Sequence, residues 1–418
     1  PTNLTIENGT VNPVQNQMVY FYANYTSLFP VSGVGLQNYE IGRVIWNTSD
    51  LDTQNRTYVV RFFDYDNDGK KDEIVTGNYS HFIAFNGNGT RLWSYYKIYD
   101  KFGIRIDDVD NDGENEIIGI TGYNGHILIF NRTGGLENDI DPDPNSNAPN
   151  LYCLAIGDVN NDGSKDIVVG GVNGVNVFAF NGSGTQLWNN SDFSEWIHEI
   201  ELIDLEEDGV LDYVAMVTHD RLIILNATDG KHIWNITMIT GAILSIASGD
   251  FNNDGLIDVV SGNKNKDDER VRVYNTSNGA EIWTNYVGWY TYPASQIVKT
   301  DLNDDNKDDL VLGAKHIIRG INNSGTTLWD YNKPSTYTYA LSVYDVNDDG
   351  LNEIIAGCED QIVYVLNKTG NLLWRYNIGR GEIGHHYGES EAIDISDINN
   401  DGIPDIAVAS EDGYAHIL

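Results

Sequence analysis

The sequence predicts an all-β chain folded as an eight-bladed β-propeller, with four-stranded antiparallel blades and a ring closed by pairing of its N- and C-terminal strands. Three observations carry this expectation. A nine-residue acidic element recurs eight times, 44 to 52 residues apart, a period that belongs to stacked repeats. Around each copy lie four short β-rich runs, with no room for a helix. The two ends of the chain supply complementary parts of one blade, the eighth.

The acidic elements begin at Asp64, Asp108, Asp158, Asp204, Asp250, Asp301, Asp345 and Asp397. An alternating apolar stretch precedes each one, as in residues 58–63 and 341–344. A β-rich run such as EIVTG, DIVVG or EIIAG follows it. A third strand comes next (HFIAFN, HILIFN, RLIILN), then a Gly-containing turn. The fourth strand is marked by Trp in RLWSY, QLWNN, HIWNI, EIWTN, TLWDY and LLWRY. Blade 2 lacks that Trp and runs into a Pro/Asn-rich loop at 139–150.

The termini argue for closure. The eighth repeat stops at Ile417-Leu418, after its third strand, whereas Arg43-Val44-Ile45-Trp46 reads as a fourth strand without a blade. Trp46 lies 18 residues before Asp64, within the 15 to 23 that separate the other fourth-strand Trp residues from the next acidic element. The propeller is therefore placed at 43–418. Residues 1–42 do not fit the repeat and form a β extension. It is a cap on the ring, the remnant of a stalk, or a strand that pairs with a neighbouring molecule and so offers a route to self-assembly.

With 62 acidic against 25 basic residues and a formal charge of −37, the chain is a poor partner for nucleic acid or an anionic membrane. No apolar run is long enough to span a bilayer. Two cysteines exclude a disulfide scaffold, and Cys153 and Cys358 are expected to be buried free thiols. The start at Pro1, without a signal-like segment, suggests a processed region.

The acidic element carries the most specific chemistry. Side-chain oxygens at positions 1, 3, 5 and 9, a backbone carbonyl at 7 and Gly at 6 match the first nine positions of an EF-hand-type calcium loop. Calcium takes six to eight oxygens, and Gly permits the left-handed turn that wraps the loop. In this order the expected ligands are Asp64, Asp66, Asp68, Lys70 and Asp72 in loop 1, and Asp108, Asp110, Asp112, Glu114 and Glu116 in loop 2. Loop 3 offers Asp158, Asn160, Asp162, Ser164 and Asp166; loop 4 offers Asp204, Glu206, Asp208, Val210 and Asp212. Loop 5 offers Asp250, Asn252, Asp254, Leu256 and Asp258; loop 6 offers Asp301, Asn303, Asp305, Lys307 and Asp309, with Asn306 in place of Gly. Loops 7 and 8 offer Asp345, Asn347, Asp349, Leu351 and Glu353, then Asp397, Asn399, Asp401, Ile403 and Asp405. Up to eight structural calcium ions follow. The all-oxygen donor set disfavours transition metals. Position 2 is apolar in every copy and should point into the blade core.

This D-x-[DN]-x-D-G-x-x-[DE] loop between the first two strands of a blade resembles the FG-GAP/VCBS repeats and the blades of integrin α subunits. The resemblance implies calcium at the matching positions. The turns NATDGKHIW and NTSNGAEIW resemble the Trp-docking repeats of eight-bladed quinoprotein dehydrogenases, which implies a packing role for the Trp. Fifteen Asn-x-Ser/Thr sequons, six of them in the repeated turn, suggest N-linked glycans and an extracellular or cell-surface location.

Aromatics gather in the connections between blades: Tyr95, Tyr96, Tyr99, Trp196, Tyr286, Trp289, Tyr290, Tyr292, Tyr337, Tyr339 and Tyr387. They suit sugar stacking, protein contacts or wedging between blades. The sequence is thus expected to be an extracellular, calcium-stabilised adhesion, assembly or glycan/protein-binding module, with no catalytic residue identified. The alternative is a polysaccharide lyase of the rhamnogalacturonan-lyase type, for which Arg375, Arg380, His385 and His386 are the candidate cations.

Overall fold

The structure is a computed structural model. It describes residues 46–47, 56–97, 101–122, 124–143, 150–172, 177–193, 195–237, 243–263, 269–288, 296–334, 336–379, 381–384 and 392–418. The extension expected at 1–42 lies outside them. The described residues contain strands and no helix, arranged as eight four-stranded antiparallel sheets.

Blade 1 shows the plan. Its strands are Thr57–Phe63, Glu73–Asn78, His81–Phe85 and Arg91–Tyr96, hydrogen-bonded in chain order. Blades 2 to 7 repeat it with first strands Lys101–Asp107, Asn150–Gly157, Ile197–Ile203, Ile243–Gly249, Gln296–Thr300 and Thr338–Tyr344. Blade 8 holds Ile393–Ser396, Asp405–Ala409 and Ala415–Ile417, with Trp46–Asn47 beside the last of these. That junction is two residue pairs long, Trp46 with Ile417 and Asn47 with His416. Packing also joins the ends: the first strand of blade 1 lies against the first two strands of blade 8. There the Phe62 amide donates to Asp394 Oδ2 at 2.7 Å.

First strands touch first strands around the ring, so they are innermost. Second strands such as Glu73–Asn78 and Glu116–Thr121 are buried along their whole length. A strand covered on both faces reads as a continuous apolar run, not an alternating one. The core accordingly lies between blades. One cluster joins Val59, Phe63 and Phe82 of blade 1 to Ile104, Ile117 and Phe130 of blade 2. Another links blades 7, 8 and 1 through Ile355, Ala407 and Val60. Fourth strands form the outer edge, and there exposure does alternate.

Four of the fourth-strand Trp residues pin their blade to the next by a hydrogen bond. Nε1 of Trp188, Trp234, Trp283 and Trp329 donates to the carbonyls of Ala227, Thr276, Asn323 and Lys368, at 2.7 to 2.9 Å. The indoles lie against Gly230, Gly279, Gly325 and Gly370, where a Cβ would meet ring atoms at 2.4 to 3.0 Å. These glycines have φ between +66° and +80°, so both close approach and backbone conformation require Gly there. In blade 2 the Trp position is Asn138, whose Nδ2 donates to Ser183 O at 3.0 Å. A cavity of about 260 Å³ beside it is lined by Ile129, Asn138, Gly182 and Ser183 and also by Asp110 and Glu116 of the second acidic loop. Cys153 and Cys358 are buried free thiols, as expected.

Candidate metal centre: eight acidic loops

Each acidic element connects the first and second strands of its blade, so all eight loops lie on one face of the ring. Their folding follows from the backbone demands of a tight wrap. The position-1 carboxylate is the hub: Asp158 Oδ1 accepts the Asp162 amide at 3.0 Å and Oδ2 accepts the Gly163 amide at 2.8 Å. Asp64, Asp204, Asp250, Asp345 and Asp397 do the same in their loops. In loop 2, Asp108 Oδ2 accepts the Gly113 amide at 3.0 Å. The position-5 carboxylate then accepts the position-7 amide, as in Asp68 with Lys70 and Asp254 with Leu256.

Position 6 is left-handed in every copy. Asn306 takes φ 60° in loop 6 and donates its amide to Asp301 Oδ2 at 2.7 Å. Position 4 is left-handed too, with φ between 54° and 63° at Asn67, Asn111, Asn161, Glu207, Asn253, Asp304, Asp348 and Asn400. This second left-handed turn is not among the expectations drawn from the sequence. Its signal was present, since Asn occupies position 4 in five of the eight copies, and Asn tolerates that region best after Gly.

Position-2 side chains enter the core as expected: Val109, Val159, Leu205, Phe251, Leu302, Val346 and Ile398 are buried, and Tyr65 is half-buried. Their amides donate to the position-9 carboxylate, as in Val109 to Glu116 at 3.0 Å and Leu302 to Asp309 at 3.1 Å, except in loop 5, where the Phe251 amide donates to Gly249 O at 3.0 Å. Loop 1 departs from the nine-residue spacing. The Tyr65 amide donates to Glu73 Oε2 at 2.9 Å, and it is Glu73 that opens the second strand opposite Phe63. Glu73 is buried, whereas Asp72 accepts from Asn400 Nδ2 of loop 8 at 2.6 Å. Loop 1 is one residue longer, and Glu73, not Asp72, occupies the place that position 9 has elsewhere.

The electrostatics are those of a cation trap. Carboxylate oxygens of Asp64, Asp66 and Asp68 lie within 4.8 Å of one another, as do those of Asp108, Asp110 and Glu116. Burial, then the neighbouring carboxylates, pushes Glu73, Glu116, Asp258 and Glu353 up to about 7. Asp166, Asp309 and Asp405 rise to about 6 for the same reasons. Asp108 Oδ1, Asp166 Oδ1 and Asp258 Oδ2 are buried with no hydrogen-bond donor among the described residues. Buried anionic oxygens without a donor are costly unless a cation meets them. An all-oxygen set with these orphaned atoms fits a hard divalent cation.

The loops also reach across to the next blade. Asn67 Nδ2 donates to Glu114 Oε1 at 2.9 Å, and Arg132 of blade 2 donates to Tyr65 O at 2.6 Å. Asn111 Nδ2 donates to Ser164 Oγ at 2.7 Å, and Lys368 of blade 7 pairs with Asp304 of loop 6. Wrap and blade docking are therefore one structure. Asn111→Gly, which keeps the backbone freedom and deletes the link, is expected to cost about 1 kcal/mol. Asn111→Ala should cost about 1–2 kcal/mol more, because Ala is strained at that φ. Denaturant unfolding of both variants checks the order.

Two other regions gather polar or aromatic groups. First strands surround a cavity of about 530 Å³ with Arg61, Arg105, Glu199, Glu201, Ser248 and Lys299 in its wall. Two of its carboxylates stitch blades together: Glu199 Oε2 accepts the Ile246 amide at 2.7 Å and Glu201 Oε1 accepts the Ser248 amide at 3.1 Å. On the face opposite the acidic loops, Tyr96, Trp196 and Tyr286 are exposed. Tyr95 packs edge-on against Phe130, and Tyr339 is buried and stacked on Tyr337. Tyr99, Trp289, Tyr290, Tyr292 and Tyr387 lie outside the described residues. So do Arg380, His385 and His386, while Arg375 sits half-buried in the outer strand of blade 7.

Three family models match parts of the chain. Residues 133–237 match the KICSTOR complex protein kaptin, residues 268–373 the lambda-carrageenase β-propeller domain, and residues 345–408 the FG-GAP-like repeat. No curated protein matches. Among solved structures, the computationally designed protein Ika8 is 15% identical, with a TM-score of 0.63 over 87% of this chain and 96% of that one. Sqt1 from Saccharomyces cerevisiae is 12% identical, with a TM-score of 0.63 over 88% and 97%. BamB from Moraxella catarrhalis is 16% identical, with a TM-score of 0.55 over 87% and 99%. At these identities the similarity speaks to fold alone. With its eight four-stranded sheets the chain is an eight-bladed β-propeller, of which residues 345–408 match the FG-GAP-like repeat.

Proposed function

We propose that the protein is an extracellular binding module whose propeller is held by calcium and whose opposite face takes a glycan or protein partner at a cell surface. The orphaned buried oxygens of Asp108, Asp166 and Asp258 carry the first part. In loop 2 the ion would be held by Asp108, Asp110, Asp112, the Glu114 carbonyl and Glu116; in loop 1 Glu73 joins Asp64, Asp66, Asp68 and the Lys70 carbonyl. The bound ion supplies charge compensation, while the chain supplies the wrap and the link between blades. Calcium loops of modest affinity fill where calcium is millimolar, which supports a location outside the cell.

Exposed Tyr96, Trp196 and Tyr286 support the binding face, since aromatic rings stack on sugars and anchor protein contacts. The match of residues 268–373 to a lambda-carrageenase propeller domain supports a polysaccharide ligand, as that of residues 133–237 to a KICSTOR complex protein supports a protein one. The lyase reading stands second. Co-sedimentation with insoluble acidic and neutral polysaccharides separates them. Binding in calcium that Trp196→Ala and Tyr286→Ala weaken about tenfold or more each, with unchanged melting, supports the module; the loss matches about 1.4 kcal/mol or more per ring. Release of unsaturated uronate products decides for the lyase. Absence of retention on any polysaccharide overturns the glycan part.

A further inference from the structure

We propose that Asn189 and Asn235, on the outer strands of blades 3 and 4, are N-glycan acceptors, a position that the sequons alone do not single out.

The structure sorts the acceptor candidates by what their side chains already do. Asn78 is 1% exposed, and its Oδ1 accepts the Ser80 and His81 amides, so it is closed to modification in the folded protein. Four asparagines of the repeated turn are explained by the turn itself. Oδ1 of Asn131, Asn181, Asn322 and Asn367 accepts the hydroxyl of Thr133, Ser183, Ser324 and Thr369, at 2.8 to 2.9 Å. It also accepts the amide four residues on, at Gly135, Thr185, Thr326 and Asn371. Their Asn and Ser/Thr are there to close a tight connection.

Asn189 and Asn235 have no such employment. They lie within the strands Gln186–Asn190 and His232–Thr237, at the edge of their sheets. Both are exposed, and neither side chain makes a hydrogen bond among the described residues. Successive side chains of a strand point to opposite faces. Trp188 and Asn190 therefore turn inward, Trp234 docks on blade 5, and Asn235 and Thr237 share the outward side. Ser191, just beyond its strand, is exposed as well. The acceptor amide and the hydroxyl that a transferase reads are thus presented together.

The reaction needs only a lipid-linked oligosaccharide as donor. Asn Nδ2 bonds to the anomeric carbon, the bond from that carbon to the lipid phosphate oxygen breaks, and the amide gives up one proton; nothing is oxidised or reduced. A glycan there would also cover the unpaired edge of two neighbouring blades, a place where exposed strands otherwise invite association.

The assignment rests on the extracellular reading for its occurrence in nature, and its test is arranged to separate the two. The full chain is secreted through a host that performs N-glycosylation, then treated with an amidase that converts each glycosylated Asn to Asp. Peptide mass spectra are expected to show the conversion at Asn189 and Asn235 and none at Asn78. Asn189→Gln with Asn235→Gln should give a lighter protein with the same melting temperature. An unconverted Asn189 or Asn235 in the secreted protein overturns the assignment at that residue, whatever the fate of the extracellular reading. Recovery of the natural protein from inside its cells would overturn that reading and leave the acceptor result standing.

Discussion

Chelation is expected to lower the melting temperature of the calcium-loaded protein steeply, with calcium, but not the same concentration of magnesium, restoring it. An ion held at a hundred times its dissociation constant adds about 2.7 kcal/mol per site, so even two or three occupied loops outweigh a typical single substitution. The pH dependence should change sign with the ion. Without it, the position-nine carboxylates keep their protons up to about 6 at Asp166, Asp309 and Asp405 and about 7 at Glu73, Glu116, Asp258 and Glu353. Unfolded carboxyls titrate near 4. Between those values the folded state binds more protons than the unfolded one, so its stability falls as pH rises through 6 to 7. The ion-free protein should therefore melt higher at about pH 5.5 than at about pH 8. With calcium the order should reverse, because the ion needs ionised ligands and protons compete for them. Scanning calorimetry at both pH values, with calcium and with chelator, checks all four. A melting temperature indifferent to chelator would sink the structural-calcium proposal.

Much of this was legible because each repeat is a local unit. Eight acidic loops, four strands per blade and a Trp in the fourth strand are short-range patterns, and repetition separates them from chance. What escaped depends on pairing. Asp72 and Glu73 are adjacent carboxylates, and only the register of Glu73 opposite Phe63 shows which one meets the Tyr65 amide. The second left-handed residue of the loop was visible as Asn at position 4, but its reach into the next loop, as in Asn111 to Ser164, is a contact between repeats. Likewise the missing Trp of blade 2 was plain, while Asn138 standing in for it is seen only from its bond to Ser183. The aromatic connections were a mixture: Tyr339 is core, whereas Tyr96, Trp196 and Tyr286 are surface.

Replacing a docking Trp is expected to be the costliest single change in the ring, and supplying the absent one the most stabilising. Trp283 donates to Asn323 O at 2.9 Å and to Phe251 O at 3.2 Å, with its ring against Gly325. Trp283→Ala should cost about 3–5 kcal/mol, the range for losing a large packed aromatic. Trp283→Phe keeps a ring but leaves both carbonyls without their donor, for a smaller loss of about 1–3 kcal/mol. Phe251 is the position-2 residue of loop 5, so Trp283→Ala should also weaken calcium binding, which a pure packing defect elsewhere in blade 5 would not do. Asn138→Trp is the converse. It places an indole opposite Ile129, where about 260 Å³ is open, and gives it the turn at Gly182–Gly184 to rest on. Filling a cavity of this kind commonly adds about 0.5–2 kcal/mol. Denaturant midpoints, read in calcium, should rank Asn138→Trp above the natural protein, then Trp283→Phe, then Trp283→Ala. If Asn138→Trp is destabilising, Asn138 in blade 2 is not a vacant Trp position but a built feature of the second metal loop beside it.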